Sequence, residues 1–119
     1  MAKKILVVDD ERLIADTLTS ILAGSGFEAA AAYSGHEALA WIQSAGCPDI
    51  LLSDVVMPDL NGIELAKKIS EACNRTNITL ISGNSNTPEL LRKAKGEGYN
   101  FKILPKPIHP KQLLAYLNA

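Results

Sequence analysis

Short, largely apolar runs, each followed by polar side chains, recur along the chain. The runs and the residues that follow them are Ile5–Val8 with Asp9 and Asp10, Ile50–Ser53 with Asp54, Ile78–Ile81 with Ser82, and Phe101–Leu104 with Pro105 and Lys106. Continuous runs of this length are typical of strands that are covered on both faces of a sheet. If the runs are neighbouring parallel strands, their polar groups all emerge at one edge of one sheet.

Segments with helical periodicity separate these runs. In the first of them, over residues 13–22, apolar side chains recur at spacings of three and four, which gives the segment one apolar face. Ser34 and Glu37 form a capping-box pattern at the start of a second helix. Further helices are predicted over about 63–73, from Thr87 onward and after His109. An alanine-rich segment over 27–32 is predicted to form a weaker strand.

Strands and helices therefore alternate five times with short connections. This order predicts an open α/β sheet of five strands with five helices on both faces, and the strands are parallel because each crossover carries a helix. The fifth strand, predicted over Tyr99–Leu104, should lie at a sheet edge because Pro105 cannot donate a ladder hydrogen bond.

The composition places the chain in the class of globular domains. Its 119 residues are expected to form one domain, 1–119, and 47% hydrophobic with 21% charged residues suits a packed core. No apolar run approaches the roughly 20 residues that span a bilayer, and no signal peptide precedes the first strand, so a cytoplasmic protein is expected. A net charge of −1 gives no basic patch for direct nucleic-acid binding.

Cys47 and Cys73 are far apart in the sequence and do not have the spacing of metal ligands. In a reducing cytosol, two such residues are expected to be free thiols.

The strand-end acids Asp9, Asp10 and Asp54 would repel one another if they converge. Two unit charges 4 Å apart cost about 4 kcal/mol at an effective dielectric constant of 20. The protein must therefore raise a carboxyl pKa or supply a cation. Oxygen-only ligands without His or Cys favour Mg²⁺. The alternative is a set of unrelated surface acids at loop starts.

A lysine and a hydroxyl at the same edge indicate a phosphoryl-transfer site. Lys106 and a bound cation would neutralise phosphoryl oxygens, and Ser82 would donate a hydrogen bond to another oxygen. Asp54 would be the nucleophile, since carboxylates form aspartyl-phosphates. The absence of a glycine-rich phosphate loop argues against nucleotide binding.

These residues resemble a known family. The chain is similar, over essentially its whole length, to response-regulator receiver domains, the phosphoacceptors of two-component signalling, and in particular to stand-alone chemotaxis regulators. The motifs that carry the resemblance are Val7-Val8-Asp9-Asp10-Glu11, the segment from Asp54-Val55-Val56-Met57-Pro58 to Asn61-Gly62, Ile81-Ser82-Gly83 and Lys106-Pro107. The resemblance implies the strand order 2-1-3-4-5.

The resemblance also implies a role for each residue at the edge. Asp54 takes the phosphoryl group from the phosphohistidine of a sensor histidine kinase or phosphotransfer protein. Asp10, Asp54 and the backbone carbonyl of Val56 bind Mg²⁺ directly, and Asp9 acts largely through water. Lys106 pairs with the phosphoryl group.

Two further expectations come from the resemblance. Ser82 swings inward to hydrogen-bond the phosphoryl group, and the peptide bond between Lys106 and Pro107 is cis. Val56 and Asn84 occupy the two positions that influence how water reaches the phosphoryl group.

The sequence departs from the family pattern at Ile103. The family usually has Tyr or Phe three residues before the site lysine, so the usual aromatic readout is not expected here. Tyr99 and Phe101 are expected to pack or face solvent rather than replace it. His36 and His109 lack a phosphotransfer context, and a solvated or capping role is expected for both.

Two other functions remain open at this point. The chain could be a receiver-fold adaptor that signals by partner binding without phosphorylation, or a metal phosphatase with an aspartyl nucleophile. The receiver itself is not expected to be a turnover enzyme, since it would only catalyse its own phosphorylation and hydrolysis. The chain ends within the fifth helix, so it is either a stand-alone regulator or a receiver from a longer protein. It is expected to be a monomer or a phosphorylation-linked dimer that binds a downstream protein.

Overall fold

Strands and helices alternate in the computed structural model, which describes residues 3–83, 87–99, 101–106 and 108–117. The elements within these ranges are β1 (Lys4–Val8), α1 (Arg12–Gly24), β2 (Glu28–Ala32), α2 (Gly35–Ala45), β3 (Ile50–Asp54), α3 (Gly62–Ala72), β4 (Asn77–Ser82), α4 (Thr87–Gly96), β5 (Lys102–Pro105) and α5 (Pro110–Leu117). The predicted alternation is confirmed. No helix in these ranges is long and apolar enough to cross a membrane.

The five strands form one parallel sheet in the order β2-β1-β3-β4-β5, as expected. The register aligns the carboxyl ends of the strands, because Val8 pairs with Ser53, Asp54 with Ile81, and Ser82 with Pro105. The polar residues that end four of the strands are thereby brought to the same edge. The strand that contains Pro105 lies at the side of the sheet, as its missing N–H requires.

Both faces of the sheet are covered, which explains the continuous apolar runs. In β1, Leu6 packs in a core with α2 and α3, whereas Ile5 and Val7 pack on the opposite face with residues of α1 and α5. A third cluster lies between the sheet, α3 and α4, and its buried members are Val55, Ile63, Ala66, Leu80 and Ala94. Alternate side chains of a strand point to opposite faces, so a strand inside two helix layers has no polar face.

The fifth strand begins later than the sequence predicts. Tyr99 lies before the strand, and its N–H donates to the carbonyl of Ala94 at 2.9 Å. Gly98, with a φ of 95°, turns the chain at this helix end. The hydroxyl of Tyr99 also donates to the carboxylate of Glu71 on α3. Tyr99 therefore ends α4 rather than starting β5.

The expectation of two free thiols is wrong, because Cys47 and Cys73 form a disulfide. Cys47 precedes β3 and Cys73 is the C-cap residue of α3. A crossover helix runs antiparallel to its strands, so the end of α3 returns to the edge of the sheet where β3 begins. The two Cα atoms lie 5.7 Å apart there, within the range that a disulfide spans.

The first residue of α3 packs directly on the end of β3. The N–H of Gly62 donates to the carbonyl of Val55 at 2.8 Å. A Cβ atom added to Gly62 would overlap the carbonyl oxygen of Asp54. Only glycine therefore allows α3 to start this close to the end of β3.

We predict that Gly62→Ala lowers the free energy of unfolding by about 3 kcal/mol, because backbone must shift to admit the methyl group. Gly24→Ala is the matched control. Gly24 lies in α1 with open space around its Cβ position, so alanine should stabilise the helix there by up to about 1 kcal/mol. Urea unfolding of both variants measures the difference. Equal stabilities for the two variants would contradict the packing of α3 on Asp54.

Candidate functional site

Three carboxylates converge at the carboxyl edge of the sheet. Asp9 and Asp10 follow β1, and Asp54 ends β3, the neighbouring strand. One carboxylate oxygen from each of the three lies within 4.8 Å of the others. Asp9 and Asp54 are buried and Asp10 is exposed, so the cluster opens to solvent on the Asp10 side.

Lys106 reaches this cluster from the end of β5. Its Nζ lies 3.3 Å from Oδ2 of Asp54 and 3.7 Å from Oδ2 of Asp9. The backbone holds the lysine in place, because the N–H of Lys106 donates to the carbonyl of Ser82 at 3.0 Å. Hydrogen bonding between the ends of β4 and β5 therefore positions Lys106 to reach Asp54, which lies two strands away.

Ser82 lies between these groups in the sheet. It ends β4, directly after Ile81, whose register partner is Asp54, and its own partner is Pro105. The residue is buried. The sequence-predicted acids, lysine and hydroxyl thus follow four neighbouring strands at one edge.

Burial raises the pKa of Asp54, and the nearby Lys106 ammonium only partly offsets this effect. Burial also raises the pKa of Asp9, against the opposing influence of the Glu11 N–H that donates to its Oδ1 at 3.0 Å. The charges of neighbouring carboxylates raise both pKa values further. When its three carboxylates are ionised, the cluster therefore carries more negative charge than the Lys106 ammonium compensates.

These residues fit a hard divalent cation. Asp9, Asp10 and Asp54 offer oxygen ligands alone, within reach of one ion, and the exposed side leaves room for the water ligands that Mg²⁺ retains. A cation at this position would also relieve the repulsion that raises the two carboxyl pKa values.

The loop that follows Asp54 is held at several points. Val56 is 49% exposed, whereas the next side chain, Met57, is buried in the core under α2 and α3. Asp59 adopts a positive φ of 67°, and the side chain of Leu60 then packs onto Gly35. A Cβ atom at Gly35 would lie 2.7 Å from Cδ2 of Leu60. The contact between Leu60 and Gly35 therefore anchors the loop on the start of α2.

Sequence reasoning missed these loop supports, Gly35, Leu60 and Gly62. The turn-forming composition of the segment indicated a loop without its conformation. One signal was available, since Asn61 before Gly62 is a typical N-cap residue. Its side chain accepts a hydrogen bond from the N–H of Glu64 at 2.9 Å.

The structure leaves both histidines outside the site. His36 is exposed in the first turn of α2. His109 precedes α5, and its Nδ1 accepts a hydrogen bond from the N–H of Lys111 at 3.1 Å, which is the expected capping role. Asn84 and the predicted cis bond before Pro107 lie outside the described residues.

A family model and curated relatives match the chain over nearly its whole length. The family model for the response regulator receiver domain matches residues 5–118. The chain is 30% identical over 119 residues to the DNA-binding response regulator MtrA of Mycolicibacterium paratuberculosis, and 34% identical over 119 residues to the response regulator MprA of Mycobacterium bovis. All of the chain is covered in both cases, but it spans about half the length of these relatives, 51% and 50%.

Solved receiver structures superpose closely on the chain. A CheY-like receiver domain protein of Methanospirillum hungatei has a TM-score of 0.88 at 28% identity, with 99% of this chain and 92% of that chain covered. The chemotaxis protein CheY4 of Vibrio cholerae has a TM-score of 0.86 at 32% identity, with 99% and 98% covered. The chain therefore belongs to the family of response regulator receiver domains of two-component systems.

Proposed function

We propose that this receiver accepts a phosphoryl group on Asp54 from the phosphohistidine of a sensor histidine kinase or phosphotransfer protein. Phosphorylation then changes the binding of a downstream protein. The observation that carries the proposal is the position of the Lys106 Nζ, 3.3 Å from Oδ2 of Asp54 and beside the carboxylates of Asp9 and Asp10. The proposed nucleophile, its charge partner and the proposed cation ligands thus lie together at one edge of the sheet.

In the proposed reaction, a carboxylate oxygen of Asp54 attacks phosphorus, the P–N bond of the phosphohistidine breaks, and the imidazole leaves. The Lys106 ammonium stands next to this carboxylate and would pair with the oxygens of the transferred group. Ser82, at the end of the adjacent strand, would donate its hydroxyl to another oxygen. Placement and charge compensation are the main requirements of phosphoryl transfer.

The proposed cofactor is Mg²⁺. Asp10, Asp54 and the backbone carbonyl of Val56 would hold it directly, and Asp9 would act largely through water. When bound, it supplies positive charge to the transferring phosphoryl oxygens. Asp9 is fixed for its role by the Glu11 N–H, and Asp10 stays at the solvent side of the cluster.

The proposed switch differs from one that turns an aromatic ring. Ile103 packs, half-buried, against the cluster that joins the sheet to α3 and α4. An aliphatic side chain in this place has no ring to rotate toward Ser82. We therefore expect the response to appear as a repacking of this cluster and of the adjacent surface of α4, β5 and α5.

We propose that the receiver, residues 1–119, works in the cytoplasm and is not a turnover enzyme. Its proposed partners are the phosphodonor and a downstream protein, and direct contact with nucleic acid or membrane is not expected. The receiver would work as a monomer or as a phosphorylation-linked dimer. The net charge of −1 supports the absence of direct nucleic-acid binding. The DNA-binding activity named for MtrA belongs to a protein about twice as long.

We predict that acetyl phosphate and Mg²⁺ add one phosphoryl group to the wild-type protein and none to Asp54→Asn, since the amide is not a nucleophile. Intact-mass spectrometry measures the adduct. Asp59→Asn is the matched control, because Asp59 is an exposed acid of the neighbouring loop whose positive φ asparagine also adopts. This control should be modified like the wild type. An equal adduct on Asp54→Asn, or no adduct on the wild type, would overturn the proposal.

We predict that Asp54→Asn stabilises the metal-free protein by about 1 kcal/mol at neutral pH, because it removes a buried charge that Lys106 only partly compensates. The folded-state pKa of Asp54 is raised, so its ionisation penalises the folded state above that pKa. The gain should therefore shrink as the pH falls through the folded pKa. Thermal unfolding of both proteins in EDTA at a series of pH values measures this stability gain. A gain that increases toward acidic pH would show that the buried charge of Asp54 is not its cause.

A further inference from the structure

The Cys47–Cys73 disulfide closes the segment that carries the phosphoacceptor. The two residues are 26 positions apart, and β3, Asp54, the following loop and α3 all lie between them. The disulfide lies at the start of β3, at the sheet edge opposite the acid cluster. No residue of the proposed phosphorylation chemistry touches it, so this pair is outside the site described above.

Helix α3 connects the disulfide to Asp54. Its C-cap residue, Cys73, is buried in the same core cluster as Leu65 and Ile69 of the helix and Met57 of the phosphoacceptor loop. Its first residue, Gly62, rests on the Asp54 carbonyl and donates to Val55. The helix is therefore fixed at both ends, and an axial shift of the helix after loss of the disulfide would alter the backbone beside Asp54.

The two cysteines differ in their access to solvent. Cys47 is exposed, whereas Cys73 is only 4% exposed. Cys47 is therefore the member of the pair that a small thiolate from solvent would attack. Without the bond, the Cys73 thiol would remain in an apolar core that suits a small hydrophobic side chain. The reduced chain should thus keep its fold.

We propose that Cys47 and Cys73 form a redox-responsive modification site that tunes the divalent-cation affinity of the acid cluster through α3. The proposal rests on the proposed function, which assigns the cluster to Mg²⁺ and the chain to the cytoplasm. Disulfides in that compartment are usually transient and serve redox sensing or catalysis. The reagents are low-molecular-weight thiols and their disulfides.

Reduction proceeds by two thiol–disulfide exchanges. A thiolate attacks the Cys47 sulfur, the bond between the two sulfurs breaks, and the Cys73 thiolate leaves and takes up a proton. A second thiolate attacks the mixed disulfide on the side of the small molecule. Cys47 is released as a thiol and the small disulfide carries away the two oxidising equivalents. Oxidation is the reverse sequence, with the small disulfide as the oxidant.

In the oxidised form, α3 and the Val55–Gly62 hydrogen bond are held in the arrangement described here. We predict that this form binds Mg²⁺ about threefold more tightly than the reduced form, because a pre-organised loop loses less conformational freedom on binding. Calorimetric titration with Mg²⁺ of the protein treated with oxidised or reduced glutathione measures the difference. Thiol counting by alkylation and mass spectrometry verifies the two states.

Cys47→Ser is the variant for this test, since Cys47 is exposed and its replacement leaves the core intact. It should bind Mg²⁺ like the reduced wild type under both treatments. A metal-free readout accompanies it: amide hydrogen exchange at Gly62 should be faster in the reduced wild type and in Cys47→Ser than in the oxidised protein. Equal Mg²⁺ affinity in the two redox forms would overturn the proposal, as would equal exchange at Gly62 or a disulfide that glutathione reduces only after unfolding.

The outcomes separate this proposal from the proposed function. If Asp54 is phosphorylated by acetyl phosphate while Mg²⁺ affinity is the same in both redox forms, the redox site is rejected and the phosphoacceptor stands. If the redox forms differ in Mg²⁺ affinity and in exchange at Gly62 but neither gains a phosphoryl group, the phosphoacceptor role is rejected and the redox coupling stands.

Discussion

The cost of burying the carboxylates of Asp9 and Asp54 at the ends of β1 and β3, increased by repulsion among the three acids, is the constraint on which the site depends. Asp9 and Asp54 are both buried, and burial raises the pKa of both. Lys106 offsets part of this cost from 3.3 and 3.7 Å. The uncompensated negative charge would favour a bound cation, and that cation would supply positive charge to a transferring phosphoryl group.

The parallel register makes this concentration of charge possible. Residues as far apart in the sequence as Asp9 and Lys106 meet because each strand ends at the same edge, and each helix returns the chain to the opposite edge. The loop after Asp54 is shaped by close packing rather than by polar contacts alone: Gly62 rests on the Asp54 carbonyl, and Leu60 is seated on Gly35. Glycine at these two positions lets α3 begin on the backbone of Asp54 and lets Leu60 pack onto the first residue of α2.

The fold and the convergence of the site could be predicted from the sequence because both depend on periodic signals. Apolar runs that end in Asp, Ser or Lys mark buried parallel strands and the edge at which they stop. The Cys47–Cys73 bond was not predicted because sequence distance hides the return of α3 to the start of β3. The same topology would have indicated it, since residues just before a strand and just after the next helix lie at one edge. The late start of β5 depends on Tyr99 capping α4, which propensity does not show.

Asp54 and Lys106 lie together with the acids that follow β1, and we propose that this arrangement holds one phosphoryl group. A structure of the protein with Mg²⁺ and beryllofluoride, a phosphoryl mimic, is the decisive test. We predict that the mimic is bonded to a carboxylate oxygen of Asp54, that the ion lies among Asp10, Asp54 and the Val56 carbonyl, and that the Lys106 Nζ lies within hydrogen-bonding distance of a fluorine. A mimic bound at another residue, or a Lys106 side chain turned into solvent, would contradict it.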